Sequence, residues 1–423
     1  MKRTIFLLLA FTLVPLIACQ PAEKAKADSK IHFELAREYL MAGSPDKAVA
    51  EADAALKADS GNTAAAFLKA DVLAKGGHHG EARQAVDEAA KKLGPQDEYL
   101  KDHWLGMLFF HKGEMDKALE HFNRSSAANP KFADNYSMIG QTCAKMGNTR
   151  EAVAAYEKWT AVEPASERAW SQLGMARLGS HELDKAREAL DKALAINPQS
   201  GLVHNYLGAL AVELHQPKEA EEFFRKSVAL DSQNQFAHLN LAQLLFMGGR
   251  HKDALPSLTK ALEIQPDNQF ALFYMGRYYQ MEKDFGKAVD YYEKACAKDP
   301  NLWVARSGVA EAALAAKGMY DRAEKALNEG IIKDPPNQKG YYYFSARISL
   351  AKGDYTAALQ QADKAAALLG KDDTLAQADS HLLRGLIFGA MNKSADAKKE
   401  FQAAAQLAPG TAIEKDAKKR LAR

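Results

Sequence analysis

The chain has 423 residues, of which 47% are hydrophobic and 26% charged, and a formal net charge of +2. These fractions belong to a folded, water-facing chain and exclude a disordered or fibrous one. Near-neutrality without a basic stripe argues against nucleic acid as a partner.

Met1-Lys2-Arg3 is a basic start, followed by an apolar run from Ile5 to Ala18 that Thr12 and Pro15 interrupt. That run is too short for a membrane span, which needs ~20 residues. It fits the hydrophobic region of a secretory signal over residues 1–18. Its removal takes away Lys2 and Arg3 and leaves the remaining chain neutral. Leu16-Ile17-Ala18-Cys19 resembles a bacterial lipobox. The resemblance implies cleavage before Cys19, lipid on the Cys19 sulfur and attachment to a bacterial envelope membrane, facing the periplasm. Gln20 stands where an Asp would favour the inner membrane, so the outer membrane is expected. An ordinary secretory signal with an incidental cysteine and a retained anchor helix are the alternatives. Residues 19–28 read as the lipidated cysteine and a polar tether, reaching ~30 Å if extended.

From Ser29 onward the chain repeats. Pro130, Pro164, Pro198, Pro266 and Pro300 recur at one fixed step or at twice that step, with Ser232 in the empty slot. Upstream of each slot, at a constant offset, lies an alanine: Ala118, Ala152, Ala186, Ala220, Ala254 and Ala288. One helical turn after each alanine comes a large residue: Phe122, Tyr156, Leu190, Phe224, Leu258 and Tyr292. Each repeat also opens with a bulky–small pair such as Ile139-Gly140 or Met275-Gly276. Small residues let two helices approach and large ones fill the space between them. Gly113, Gly147, Gly249 and Gly353 suit a left-handed turn between the helices. Proline ends the second helix.

Tyr136-x2-Ile139-Gly140 … Ala152-x3-Tyr156 … Pro164 resembles the tetratricopeptide repeat (TPR) pattern. Trp170-x2-Leu173-Gly174 matches its first half, although Arg177 stands in the tyrosine slot. The resemblance implies an all-α, right-handed α-solenoid of about eleven TPR helix-turn-helix units. Two units are expected over 29–98, six regular ones over 99–302 and three with insertions over 303–410. Insertions fall near Gly94-Pro95, Ala315–Gly318, Pro335-Pro336 and Lys371–Gln377. Lys69, in a slot that is usually apolar, and Ala362, where a large residue is usual, mark the second and tenth repeats as the least regular. Residues 411–423, with Ile413, Ala417 and Leu421 four apart, read as a capping helix.

The repeats leave no room for a catalytic domain, and no phosphate loop, Gly-x-Ser-x-Gly or His-Glu-x-x-His is present. The chain is expected not to be an enzyme and to need neither cofactor nor metal. Cys143 and Cys296 fall in helix-core slots four repeats apart and read as buried hydrophobes. His32, His204, His238 and His381 occupy the slot of Trp170 and read as packing aromatics. His78-His79 lacks a third ligand.

In this family the first helix of each repeat lines the partner groove through its second, fifth, ninth and twelfth positions. Carried over, the seventh and eighth repeats present Phe236, Leu239, Gln243, Phe246, Phe270, Phe273, Arg277 and Gln280. The third presents His103, Met107 and Phe110, and the tenth Tyr343 and Arg347. Exposed aromatics with an occasional Arg or Gln suit protein or peptide partners. The lysine–asparagine clamp for chaperone tails is missing. The resemblance to TPR lipoproteins implies a scaffold for other envelope proteins, serving pilus, secretion or exopolysaccharide export assembly. The alternative is a binding protein for an exported polysaccharide chain, since aromatic faces stack on sugars.

Overall fold

The computed structural model describes residues 21–330 and 335–422, so the expected signal and Cys19 lie outside the described residues. All regular structure among the described residues is helical: twenty-three α-helices and one 3-10 turn at Pro95–Asp97. Contacts divide the chain after Pro198.

The N-terminal half holds five helix pairs: α1 (Pro21–Met41) with α2 (Pro45–Ala58), α3 (Thr63–Lys75) with α4 (His79–Ala90), α5 (Tyr99–Lys112) with α6 (Met115–Ala128), α7 (Ala133–Lys145) with α8 (Thr149–Val162), and α9 (Glu167–Gly179) with α10 (Leu183–Ile196). The C-terminal half begins with α11 (Gly201–Glu213) and α12 (Pro217–Leu230), α13 (Gln235–Met247) and α14 (His251–Ile264), then α15 (Gln269–Met281) and α16 (Phe285–Lys298). It continues with α17 (Trp303–Ala316) and α18 (Tyr320–Gly330), α19 (Pro335–Lys352) and α20 (Tyr355–Ala367), then α21 (Thr374–Ala390) and α22 (Ser394–Leu407). A last helix, α23 (Ala412–Leu421), lays Ile413, Ala417 and Leu421 against Leu382 and Phe401. Eleven pairs and a cap are the all-α repeat architecture that the spacing implies.

The pairs close by a lock that recurs in both halves. Phe122 of α6 presses on Gly106 of α5, where an added Cβ would lie 2.6 Å from the ring. Tyr292 of α16 does the same to Gly276, also at 2.6 Å, and reaches the next repeat at Gly308, at 2.8 Å. No side chain fits in those gaps, which is why the slots are glycine. The turn between paired helices closes on a left-handed residue. Glycine supplies it at Gly113, Gly147, Gly249 and Gly353, but His181, His215, Lys283 and Asn392 adopt φ of 57° to 62° in four other turns.

Two expectations change. Residues 21–28 are not an extended tether; α1 is already helical from Pro21. Proline suits a first turn, and Ala22-Glu23-Lys24-Ala25-Lys26-Ala27 are strong helix formers. The fourth position is also more than an aromatic packing slot in several repeats. Tyr136 Oη donates to the Pro130 carbonyl at 3.1 Å, Trp170 Nε1 to Pro164 at 2.9 Å, and Arg306 Nε to Pro300 at 2.9 Å. His238 Nε2 lies 3.3 Å from the Ser232 carbonyl. Each clasps the turn that enters its own repeat, which a long side chain with a terminal donor can reach. In the first and last repeats the same slot ties the two helices of a pair: His32 to Glu51 at 2.6 Å and His381 to Glu400 at 2.5 Å. Lys69 reaches Asp53 at 2.6 Å, which accounts for a charge in an apolar slot.

Candidate interaction surface on the first helices

Within the C-terminal half the first helices of successive repeats, α11, α13, α15, α17, α19 and α21, touch one another, so their free faces form one continuous strip. Burial sorts the expected groove residues into two classes. Phe236 is 68% exposed and Phe270 47%, and Gln243 and Arg277 are exposed too. Phe273, Gln280, Tyr343 and Arg347 are half-buried. Leu239 and Phe246 are buried and do not line an open face, because neighbouring first helices cover the fifth and twelfth positions of α13.

The third-repeat trio is likewise not an open face. His103 is buried, its Nδ1 2.8 Å from Asn135 Oδ1, and burial holds its pKa below the usual histidine value. Phe110 is buried, with Lys145 Nζ 3.9 Å from its ring centre, and Met107 packs half-buried against the same cluster.

The second position carries the strongest signal. Leu202, Phe236, Phe270 and Val304 stand one repeat apart on α11, α13, α15 and α17, all exposed. Met247 and Met281, at the thirteenth position of α13 and α15, are exposed as well. Leu202, Val304 and both methionines are absent from the sequence-based set. Extending the second-position register by one repeat each way would have found the first two.

Arg277 stands beside this ladder. Its guanidinium lies 5.5 Å from the Phe246 ring centre, 5.9 Å from Tyr274 and 6.0 Å from Phe273. It shares a cleft of about 520 Å³ with Phe273, Met281, Val304, Ser307 and Glu311. Tyr292 Oη donates to Gln280 Oε1 at 2.5 Å, and Gln280 Nε2 donates to Glu311 at 3.2 Å, which orients the cleft's polar wall. Burial pushes the Tyr292 phenol above its usual range and keeps it a donor. Arg347 repeats the arrangement two repeats on, 5.5 Å from the Tyr343 ring and 5.9 Å from Phe344.

Cys143 and Cys296 are buried free thiols, and burial raises both, Cys296 to about 11, so neither is a nucleophile at neutral pH. Among the described residues no group of three or more potential ligands could hold a metal. No helix of the described residues is long and apolar enough to cross a membrane.

Models of the tetratricopeptide repeat match residues 33–98, 138–201, 171–235, 235–301 and 279–348. No curated protein matches the sequence. Among solved structures, the chain is similar to one in the APC/C hetero-tetramer Cut9-Hcn1, with 14% identity over 95% of this chain and 98% of that one and a TM-score of 0.49. It is also similar to pilF of Pseudomonas aeruginosa, with 21% identity over 61% and 98% and a TM-score of 0.40. A third is MamA, with 22% identity over 38% and 95% and a TM-score of 0.34. At these identities the likeness concerns the fold alone.

Proposed function

Because the chain belongs to the tetratricopeptide repeat family, whose repeats are in general non-catalytic scaffolds for protein partners, we propose that it is an envelope scaffold held to a membrane by lipid on Cys19. Its working surface is the strip of first helices in the C-terminal half. The observation that carries the reading is the ladder of Leu202, Phe236, Phe270 and Val304, apolar side chains left in water one repeat apart. A soluble fold keeps such contiguous apolar surface for a partner. Assembly of a pilus, a secretion pore or an exopolysaccharide exporter is the setting that the lipobox-like start and the repeats suggest together, with the outer membrane as the site of attachment.

The partner test is a pull-down from envelope extract with wild type and with Phe236→Asp/Phe270→Asp. Both side chains are exposed, so the variant folds, and loss of the specific band supports the strip. Undiminished capture by the variant rejects it. The anchor test is Cys19→Ala followed by fractionation. Unchanged membrane recovery and unchanged labelling by a palmitate analogue reject lipidation.

The polysaccharide reading needs open ring faces. Phe246 is buried and Arg277 occupies the vicinity of Phe273 and Tyr274, which leaves Phe236 and Phe270 as exposed rings. Two exposed rings one repeat apart do not make the continuous stacking platform of a sugar site, which favours a protein segment over a sugar chain.

A further inference from the structure

The strip of the C-terminal half carries a charge row beside its apolar ladder. The ninth positions of the eighth, ninth and tenth repeats are Arg277, Glu311 and Arg347, in the order plus, minus, plus. Among the described residues none of the three has an oppositely charged side chain within ion-pair distance. Glu311 accepts from the neutral Gln280 at 3.2 Å, and Arg347 lies over the Tyr343 and Phe344 rings. The N-terminal half treats the same position differently. There Arg37 pairs with Glu34 at 3.0 Å, and Asp71 pairs with Lys75 at 2.6 Å and His111 at 3.2 Å. Neutralisation within the fold is therefore available to this position and is withheld from three consecutive repeats of the C-terminal half.

A guanidinium lying over rings is weakly hydrated and offers its planar edge to a carboxylate, which binds it with charge-assisted hydrogen bonds. Packed helices stand ~8–10 Å apart, and three residues of an extended polyproline-like chain rise ~9 Å with side chains i and i+3 on one face. We infer that the C-terminal half captures an extended protein segment that sets a carboxylate on Arg277, a Lys or Arg on Glu311 and a second carboxylate on Arg347. The segment's spacing is acidic-x-x-basic-x-x-acidic, with apolar residues turned to Phe236, Phe270 and Val304. This rests on the strip being the working surface and adds what the partner must carry.

The test is selection from a random twelve-residue peptide display library on the purified full chain. It is repeated on the charge-inverted variant Arg277→Glu/Glu311→Lys/Arg347→Glu and on Phe236→Asp/Phe270→Asp, with circular dichroism confirming each fold. Wild type is expected to enrich the acidic-basic-acidic spacing, and the inverted variant to enrich its opposite. A wild-type peptide should bind the inverted variant at least about tenfold more weakly, and its affinity should fall with added salt. Peptides that need Phe236 and Phe270 but show no charge order, or keep it on the inverted variant, overturn the inference and leave the strip standing. Peptides indifferent to Phe236 and Phe270, or no selection at all, overturn both.

Discussion

The two halves of the chain pack alike and face solvent differently. Phe122 on Gly106 in the first and Tyr292 on Gly276 in the second are the same lock, with a hypothetical Cβ at 2.6 Å in each. Yet two first-helix carboxylates of the N-terminal half are paired internally: Asp71 by Lys75 and His111, and Asp102 by His121 at 2.8 Å and Arg124 at 3.3 Å. In the C-terminal half the ninth-position charges Arg277, Glu311 and Arg347 have no ion pair among the described residues and stand beside an apolar ladder. Core slots and face slots are thus independent. The lock needs only size complementarity, so the same core contact leaves the surface free to differ between the halves.

The largest test of that equivalence is to empty the locks. Both side chains are fully buried. Phe122→Ala and Tyr292→Ala should each cost about 3–5 kcal/mol in chemical denaturation. A large loss in one half alone would break the comparison. Next come the clasps. Arg306 serves the Pro300 and Ala326 carbonyls, and Tyr136 serves Pro130 alone. Arg306→Met strands both carbonyls and should cost about 1–3 kcal/mol. Tyr136→Phe in the N-terminal half loses one hydrogen bond and should cost about 1 kcal/mol. Equal losses would show that the two clasps are interchangeable.

A third test uses acid. Burial lowers the pKa of His103 in the first half and of His204 and His238 in the second below 6.5. The folded protein then binds fewer protons than the unfolded one, so this contribution is full above about pH 6.5 and shrinks as pH falls through and below that value. Melting temperature should drop between about pH 7.5 and 5, and His103→Phe should flatten the drop. A flat wild-type profile would contradict the burial. The smallest effect is in the turns. His181 and His215, one per half, both hold a left-handed φ that an L side chain strains to adopt. Glycine relieves that strain but loses more backbone entropy on folding, so each histidine-to-glycine change should raise the melting temperature only slightly. A fall in melting temperature in either half would show that the histidine side chain itself holds its turn.

Much of the fold was legible in advance. Pro164, Ala152 and Tyr156 recur at one spacing, and local spacing is enough to pair helices because each pair buries its own small-on-large contact. The start of α1 was missed because residues 21–28 look merely polar, although their helix propensity is high. The candidate site was read less well. Register named Phe236, Phe270 and Arg277, and it also named Leu239, Phe246, His103 and Phe110, which neighbouring helices cover.

The sequence by itself determined the period, the helix pairs, the capping helix and which positions lie on the first helices, since all of these follow from residue size and spacing within ~40 residues. Tertiary structure alone decided that the fourth position of several repeats is a clasp that Trp, Tyr, His or Arg serves, that four of the thirteen expected groove residues are buried, and that Arg277, Glu311 and Arg347 go without an ion pair among the described residues. Burial and charge pairing depend on which side chains from other repeats arrive at a position, and spacing along one chain carries no record of that.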